Sequence, residues 1–412
     1  MKKKILIFVV LILIVIIAGL WHVRSKKVPL QAEMPSGFSF FGLFGETRTA
    51  TSLPNVIEEE LPAPEVSEPQ APLRQLVGRN VVSAHFFMKG AGTSTEEVLR
   101  YVDRETGHIF EISVDTGERL RISNITIPRI QEAVWGDGGE VVALQYLDDE
   151  IIRTYVRILS TTTDEVSLPE ETDNGFFLPQ NITSLSISPS ERELFYLREF
   201  DESSGFISSV PDSEIRPVFR SPLKQLVSQW TSSGIHLTTK AAQGYIGMQR
   251  SISLAAGSDL PLIMGVPGLM TRSSPSGQSI VYTSTENGLS SFIFKTNTKE
   301  SLPLSLSLLP EKCTWYNETL IYCGLSSPLP DTRLPDMWYQ GRVSLDDSLW
   351  EINALTGTST ALFSQEETHA LEPANLDIIK PVINSTGTLL AFINKTNDSL
   401  WLADLEEIKK ED

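Results

Sequence analysis

A short pattern recurs along this chain: a polar turn rich in Ser, Pro, Gly or Asn precedes an apolar run that ends on an aromatic or small residue. Residues 273–282 show it most clearly, and residues 188–196 and 384–392 repeat it. The runs end at Tyr101, Ala143, Tyr196, Thr238, Tyr282, Tyr322 and Phe392, which are 42, 53, 42, 44, 40 and 70 residues apart. Self-similarity at a nearly fixed period predicts a repeat architecture.

The second half of each unit has a pattern of its own. Residues 109–118 and 349–357 both alternate β-branched or aromatic residues with polar ones and end in Thr-Gly. This pattern indicates two strands joined by a tight turn, so each unit supplies four strands, A to D. Four strands in about 40 to 45 residues is the size of one β-propeller blade. The two longer intervals are then blades with loop insertions, and the chain is all-β with seven blades.

The ends of the repeat region indicate how the ring closes. The last unit has no clear fourth strand, because residues 406–412 form a charged tail. A short apolar segment, residues 73–77, precedes the first unit. An open sheet edge is an aggregation liability, so we expect residues 73–77 to form the outer strand of the last blade. The propeller domain would span residues 73–405.

The turn motif of residues 273–282 resembles the TolB-type and WD-type β-propeller repeats, whose hairpin reads roughly Ser-Pro-Asp/Ser-Gly before an apolar run that closes on an aromatic residue. Residues 188–196 and 384–392 match it less closely. The resemblance implies a propeller fold and a role in binding other molecules. It carries over no catalytic residue, since the motif is structural.

The N-terminus carries a separate signal. After three lysines, residues 5–21 form an uninterrupted apolar run of 17 residues, close to the length that spans a bilayer. A cleaved signal peptide is the alternative, but its apolar region is usually shorter and ends at a pair of small residues. We expect a cytoplasmic stub at residues 1–4 and a transmembrane helix at residues 5–21, ahead of a disordered linker and the propeller.

The cysteines indicate on which side of the membrane the propeller lies. The chain has two, Cys313 and Cys323, placed symmetrically about a predicted A–B turn. Facing cysteines in one hairpin predict a disulfide and a compartment outside the cytoplasm. Two reduced core cysteines are the alternative. We therefore expect the propeller on the extracytoplasmic side of the cell membrane.

The linker, residues 22–72, is rich in Pro and Glu, a composition that favours extended, unfolded chain. Its residues 35–45 are an uncharged Phe/Gly segment. An exposed apolar cluster often marks a contact site, so this segment is a candidate for the membrane interface, a partner or the propeller, with an incidental cluster as the alternative. The candidate interfacial residues are Phe38, Phe40, Phe41 and Phe44.

Charge narrows the class of partner. Residues 28–412 carry 28 basic and 52 acidic side chains, a net charge of −24. Nucleic acid is excluded as an expected ligand because basic clusters are lacking, whereas basic proteins and metal cations remain possible. Many acidic residues fall in predicted B–C loops, which share one face of a propeller, although turn loops are polar everywhere. The candidate partner-binding residues there are Asp148, Asp149, Glu150, Asp201, Glu202, Asp346 and Asp347.

The 70-residue interval contains an insertion at residues 326–339. Long loops in compact domains tend to be functional, and its Met337, Trp338 and Tyr339 are of residue types that anchor interfaces. Two interpretations remain open. The three residues contact a partner, or they fold back to plug the channel or cover a blade edge.

Enzyme signatures are missing from the sequence. The five histidines have no zinc-type spacing, and neither a Gly-x-Ser-x-Gly nucleophile motif nor a phosphate-binding loop occurs. No cofactor is expected. The sequence therefore favours a membrane-anchored, non-catalytic propeller that binds a protein or a wall polymer of the cell envelope. The alternative is a propeller hydrolase that acts on envelope glycans with paired carboxylates.

Overall fold

The computed structural model describes residues 71–91, 94–159, 174–255, 257–330, 333–364 and 375–411. Their strands form seven four-stranded antiparallel sheets arranged as the blades of a propeller, so the predicted all-β, seven-bladed fold is confirmed. Within the same ranges no helix combines the length and the apolar character that crossing a membrane requires. The predicted anchor at residues 5–21 and the predicted linker up to residue 70 lie outside the described residues.

The strands are numbered in chain order, and each blade is given from its inner strand A to its outer strand D. Blades 1 and 2 contain β2 (Val81–Ala91), β3 (Ser94–Asp103), β4 (Ile109–Ser113), β5 (Arg119–Arg121), β6 (Ile130–Trp135), β7 (Val141–Asp148), β8 (Ile151–Ile158) and β9 (Gly175–Phe177). Blades 3 and 4 contain β10 (Ile182–Ile187), β11 (Glu193–Glu199), β12 (Ser203–Ser209), β13 (Ile215–Ser221), β14 (Leu226–Thr231), β15 (Gly234–Thr239), β16 (Ile246–Ser253) and β17 (Ser258–Pro267). Blades 5 and 6 contain β18 (Thr271–Ser273), β19 (Ser279–Ser284), β20 (Ser290–Lys295), β21 (Glu300–Pro303), β22 (Cys313–Trp315), β23 (Leu320–Ser326), β24 (Asp347–Asn353) and β25 (Ser359–Phe363). Blade 7 contains β26 (Ile378–Ile383), β27 (Leu389–Asn394), β28 (Ser399–Asp404) and β1 (Leu73–Val77).

The repeat in the sequence corresponds to strand B of each blade. All seven run-ending residues lie in B strands, and each is 8% exposed or less. In four blades this residue faces an aromatic residue on strand C, with ring centroids 5.1 to 6.4 Å apart. These stacked pairs are Tyr101 with Phe110, Tyr196 with Phe206, Tyr282 with Phe292, and Phe392 with Trp401. Cross-strand aromatic pairs stabilise sheets, which explains why the repeat ends on these residues.

The core lies in layers between neighbouring blades. One cluster combines Val81 and Leu99 of blade 1 with Leu400 and Leu402 of blade 7. Another combines strands of blades 2 and 3 in the same way. A blade therefore buries its two faces against two different neighbours, and the ring has to be complete for every face to be covered.

The last blade is completed by the first described strand. β1 pairs antiparallel with β28, with Leu73 opposite Ala403. Leu73 is 5% exposed and belongs to the same cluster as Trp401. The charged segment after β28 contains a helix, α2 (Leu405–Glu411), whose Leu405 and Ile408 are buried in that cluster.

Hydrogen bonds between A–B turns connect neighbouring blades, and a disulfide connects two strands within blade 6. Glu191 accepts hydrogen bonds from the backbone N–H of Gly138 at 2.9 Å, and Glu318 accepts one from Ser274 Oγ at 2.7 Å, each in the A–B turn of the preceding blade. Cys313 and Cys323 are directly opposite on β22 and β23 with Cα atoms 4.1 Å apart, and they form a disulfide. The predicted disulfide is confirmed.

Removal of β1 should destabilise the propeller. A chain that begins at Arg79 loses the pairing with β28 and the buried Leu73 side chain, so we expect its melting temperature to fall by roughly 5 °C or more. A chain that begins at Ala71 retains β1 and is the control. Equal melting curves for the two chains, measured by circular dichroism, would contradict the closure of the ring by β1.

Candidate functional site

The strand order determines which loops share a face. In an antiparallel meander the A–B and C–D turns lie at one end of a blade, and the B–C loop lies at the other end with the link to the next blade. We call the second end the B–C face. Asp149 and Glu150 lie in the B–C loop between β7 and β8, directly after Asp148, the last residue of β7. Asp201 and Glu202 lie in the B–C loop between β11 and β12. Asp346 precedes β24, and Asp347 is its first residue.

An insertion, residues 327–346, connects β23 to β24 on the B–C face and contains the helix α1 (Asp336–Tyr339). Its side chains pack in one cluster with residues from the loops of blades 4 and 5 and from the links that lead into blades 5 and 6. That cluster comprises Ala241, Met270, Leu309, Leu334, Trp338 and Leu345. The insertion also contacts blade 7 through Lys395, so it covers four consecutive blades beside their inner strands.

Trp338 is the most deeply held side chain of α1. It is 3% exposed, and its Nε1 donates to Asp377 Oδ1 at 3.0 Å. The Lys395 ammonium lies 3.9 Å from the centre of its ring. Its neighbours Met337 and Tyr339 are half-buried, and the Tyr339 hydroxyl donates to Glu311. This placement matches the interpretation in which the insertion folds back on the propeller.

A buried ionic network fixes the insertion to blade 7. Lys312 Nζ lies 2.5 Å from both Asp347 Oδ2 and Asp377 Oδ1, and all three side chains are at most 1% exposed. Asp377 also accepts hydrogen bonds from the Leu345 N–H and from Ser344 Oγ, both at 3.1 Å. Two carboxylates therefore share one ammonium group, and breaking such a buried arrangement is costly.

Asp347 has no surface to offer a partner, since it is fully buried in this network. Desolvation by burial raises its pKa to about 6, although the neighbouring Lys312 ammonium opposes the shift. Its Oδ1 has no hydrogen-bond partner among the described residues. The sequence signal that could have revealed the network is weak: Lys312 lies between two apolar stretches, but Glu311 beside it gives the pair the look of an ordinary surface turn.

The B–C face of blades 2 to 4 differs from the part that the insertion covers, because apolar side chains are exposed there beside acidic ones. We call this surface the blade 2–4 rim. Its apolar side chains are 51% to 76% exposed, and they were not singled out in the sequence. They are Leu147, Phe200, Tyr245 and Ile246. Its acidic residues are Asp148, Asp149, Glu150, Asp201 and Glu202.

Part of the rim charge is uncompensated. Asp148 pairs with Arg153 and Glu202 with Arg220, each at 3.4 Å. Asp149, Glu150 and Asp201 form no ion pair within the part of the chain that the structure describes. These three carboxylates therefore remain available to a cationic group.

The turn between β7 and β8 has an unusual sequence for its conformation. Asp149 and Glu150 are its two central residues, and both have positive φ, 44° and 67°. A two-residue turn of this type prefers Asn-Gly or Asp-Gly, so Asp149 suits its position, whereas left-handed backbone is strained for Glu150. Glu150 thus occupies a position where local stability favours glycine.

A serine–histidine pair also occurs, in the interior. His236 Nδ1 lies 2.7 Å from Ser273 Oγ, which also accepts a hydrogen bond from Gln249 Nε2 at 3.2 Å. All three side chains are at most 2% exposed, and burial lowers the pKa of His236 to about 4. A nucleophile has to contact its substrate, so this buried pair serves to join blades 4 and 5.

Among the described residues, no group of three or more His, Cys, Asp or Glu side chains is arranged to hold a metal ion. The candidate interfacial residues Phe38, Phe40, Phe41 and Phe44 lie outside the described residues.

No protein-family model and no curated protein sequence matches this chain. Its fold is similar to solved structures. The crystal structure of the tricorn protease aligns with a TM-score of 0.50 and 10% identity, over 83% of this chain and 35% of that one. The β-propeller domain of the Trilobed protease from Pyrococcus furiosus gives 0.49 and 12%, over 78% and 96% of the two chains. TolB from Acinetobacter baumannii gives 0.43 and 10%, over 68% and 79%.

At such low identities the likeness concerns the fold alone. The seven blades, with the tricorn alignment, confirm the β-propeller fold that the resemblance to TolB-type and WD-type repeats implied. The likeness carries no information on activity or partners.

Truncation of Trp338 should destabilise the protein. We expect Trp338→Ala to lower the free energy of unfolding by about 3 kcal/mol, because it removes a large buried side chain that packs on the propeller. Met337→Ala, in the same helix and half-buried, should cost about 1 kcal/mol or less. Urea denaturation measures both. Equal and small effects would contradict the role of Trp338 as the anchor of the insertion.

His236 and Asp347, two of the buried titrating groups, should shift stability in opposite directions as the pH falls. The pKa of His236 is lowered from 6.5 to about 4. The contribution of neutral His236 to the free energy of unfolding is therefore complete above pH 6.5 and is lost as the pH falls toward 4. Asp347 has a pKa raised from 3.8 to about 6, so stability is gained as the pH falls from 6 toward 3.8. Each shift corresponds to about 3 kcal/mol.

Two variants separate these opposing contributions. Between pH 7 and pH 4, His236→Gln should gain up to about 3 kcal/mol of stability relative to the wild type, and Asp347→Asn should lose a similar amount. Urea denaturation at pH 7, 5.5 and 4 gives both differences. Stability differences from the wild type that do not change with pH would show that neither group titrates as described.

Proposed function

We propose that this chain is a non-catalytic binding propeller that receives a basic protein on the blade 2–4 rim. Residues 5–21 hold it in the cell membrane, with the propeller on the extracytoplasmic side. The observation that carries the proposal is the pairing of exposed apolar side chains with unpaired carboxylates at neighbouring loop tips. Phe200 next to Asp201 is one example, with Phe200 61% exposed.

The chemistry of the rim resembles that of a protein interface. Aromatic residues are enriched at such interfaces and supply much of the binding energy. Surrounding charges favour partners of opposite sign and accelerate association. With a net charge of −24 in residues 28–412, a basic partner is attracted over a distance and then oriented by Asp149, Glu150 and Asp201.

The arrangement of the rest of the B–C face also supports the blade 2–4 rim as the binding surface. The insertion covers blades 4 to 7 beside their inner strands, so the loops of blades 2 and 3 are outside its cover. The strained turn at Asp149 and Glu150 adds a second argument. Retaining Glu150 where glycine would be more stable is reasonable if its carboxylate is used in binding.

The direction of β1 is consistent with a membrane tether. Leu73 pairs with Ala403 near the end of β28, whereas the B–C loop of blade 7 precedes Ser399. The chain therefore enters β1 at the end of blade 7 that is opposite the B–C face. The disulfide between Cys313 and Cys323 supports an oxidising compartment. A propeller attached in this way presents its rim away from its point of attachment.

The strained turn gives a test in which stability and binding should separate. The double variant Asp149→Asn/Glu150→Gly should raise the free energy of unfolding by about 1 kcal/mol, because Asn-Gly suits the turn. The same variant should bind the partner more weakly, since two carboxylates are lost. Urea denaturation and quantitative pull-down measure the two effects. A variant that is more stable and binds equally well would argue against a role of this turn in binding.

The partner itself can be identified by affinity capture of the full-length chain from its own cells. We expect a basic protein that is retained by the wild type, released by added salt and reduced at least tenfold by Phe200→Ser. Leu355→Ser is the matched control, because Leu355 is also 61% exposed but lies in the C–D turn of blade 6. Unchanged capture by Phe200→Ser, or equal loss with Leu355→Ser, would refute the rim as the binding surface.

A further inference from the structure

A cavity of about 400 Å³, wide open to solvent, lies between blades 7 and 1, where the chain passes from β1 to β2, and both of its arginines are exposed. Its size falls in the range of sites for small molecules. The residues that line it are Val77, Gly78, Arg79, Asn80, Asp103 and Arg119. It shares no residue with the blade 2–4 rim, and it places two arginines together on a propeller that is otherwise strongly acidic.

Arg119 is held in position by aromatic rings. Its guanidinium carbon lies 3.8 Å from the centre of the Phe110 ring and 5.1 Å from that of Tyr101. Stacking of this kind leaves the N–H groups in the guanidinium plane free to donate. Neither Arg119 nor Arg79 forms an ion pair within the described ranges of the chain.

Asp103 gives the cavity an acceptor as well. Its Oδ1 accepts hydrogen bonds from the backbone N–H and the hydroxyl of Thr106, at 2.9 and 2.7 Å, so the carboxylate is fixed. Its second oxygen remains able to accept from a ligand hydroxyl. Two guanidinium groups and one carboxylate give the lining a net charge of +1, which matches a monoanion. A phosphate monoester carries a charge of about −1.5 to −2, and its additional negative charge is repelled by the Asp103 carboxylate in the lining.

We infer that this cavity binds a small hydroxylated carboxylic acid, such as the uronic acid unit of an acidic glycan. The carboxylate lies between Arg79 and Arg119, where a guanidinium group can bind it with two parallel hydrogen bonds. A hydroxyl group on the ligand donates to Asp103. The acidic surface elsewhere is screened at physiological salt, where the Debye length is about 8 Å, so the lining residues decide the local potential.

Titration calorimetry of the full-length chain with glucuronate tests this inference. We expect saturable binding with a Kd of about 1 mM, the value that typical ligand efficiency gives for a monosaccharide acid. Glucose, which lacks the carboxylate, should not bind, and inorganic phosphate should bind more weakly than glucuronate. Absence of glucuronate binding, equal binding of glucose or tighter binding of phosphate would overturn the assignment.

Variants then locate the site. Arg79→Gln and Arg119→Gln should each weaken glucuronate binding at least tenfold, since each removes a charge-assisted hydrogen bond. Arg121→Gln is the control, because Arg121 lies in the same strand as Arg119 and does not line the cavity. Arg79 is exposed in the link between β1 and β2, so its loss should leave the melting temperature unchanged. Binding that survives in Arg79→Gln, or that falls equally in Arg121→Gln, would refute the site.

Discussion

The packing of blade on blade is the interaction on which the rest of this structure depends. A four-stranded sheet with apolar residues on both faces cannot bury them alone, so each blade needs two neighbours. The clusters that combine blades 7 and 1, or blades 2 and 3, show that the core consists of these contacts. Every other feature follows from a closed ring: the buried B strands, the shared B–C face, and the need for β1 in the last blade.

The fold could be predicted from the sequence because its strongest signal arises where packing is most demanding. Strand B is covered on both faces, so it appears as an apolar run, and its last residue often faces an aromatic residue on strand C, as Tyr282 does with Phe292. Such a pattern recurs once per blade and is visible without any structure. The facing cysteines were predictable for a similar reason, since two positions in one hairpin are related by a short turn.

The arrangement of the insertion could not be predicted in the same way. Lys312, Asp347 and Asp377 are far apart in the sequence and meet only after three segments have packed. An aspartate in a loop looks like a surface charge unless the lysine that faces it is known, and for this reason Asp347 was expected on the surface. Likewise, the composition of residues 326–339 does not distinguish a side chain that binds a partner from one that, like Trp338, binds the propeller.

The position of β1 has a mechanical consequence. Any pull transmitted through residue 70 reaches the propeller at Leu73, where β1 lies beside the end of β28 and its side chain packs in a cluster with Leu405 and Ile408. Tension would act first on one strand pair and a short helix, and only afterwards on the other six blades. The strand that completes the ring is therefore also the point at which force would begin to open it.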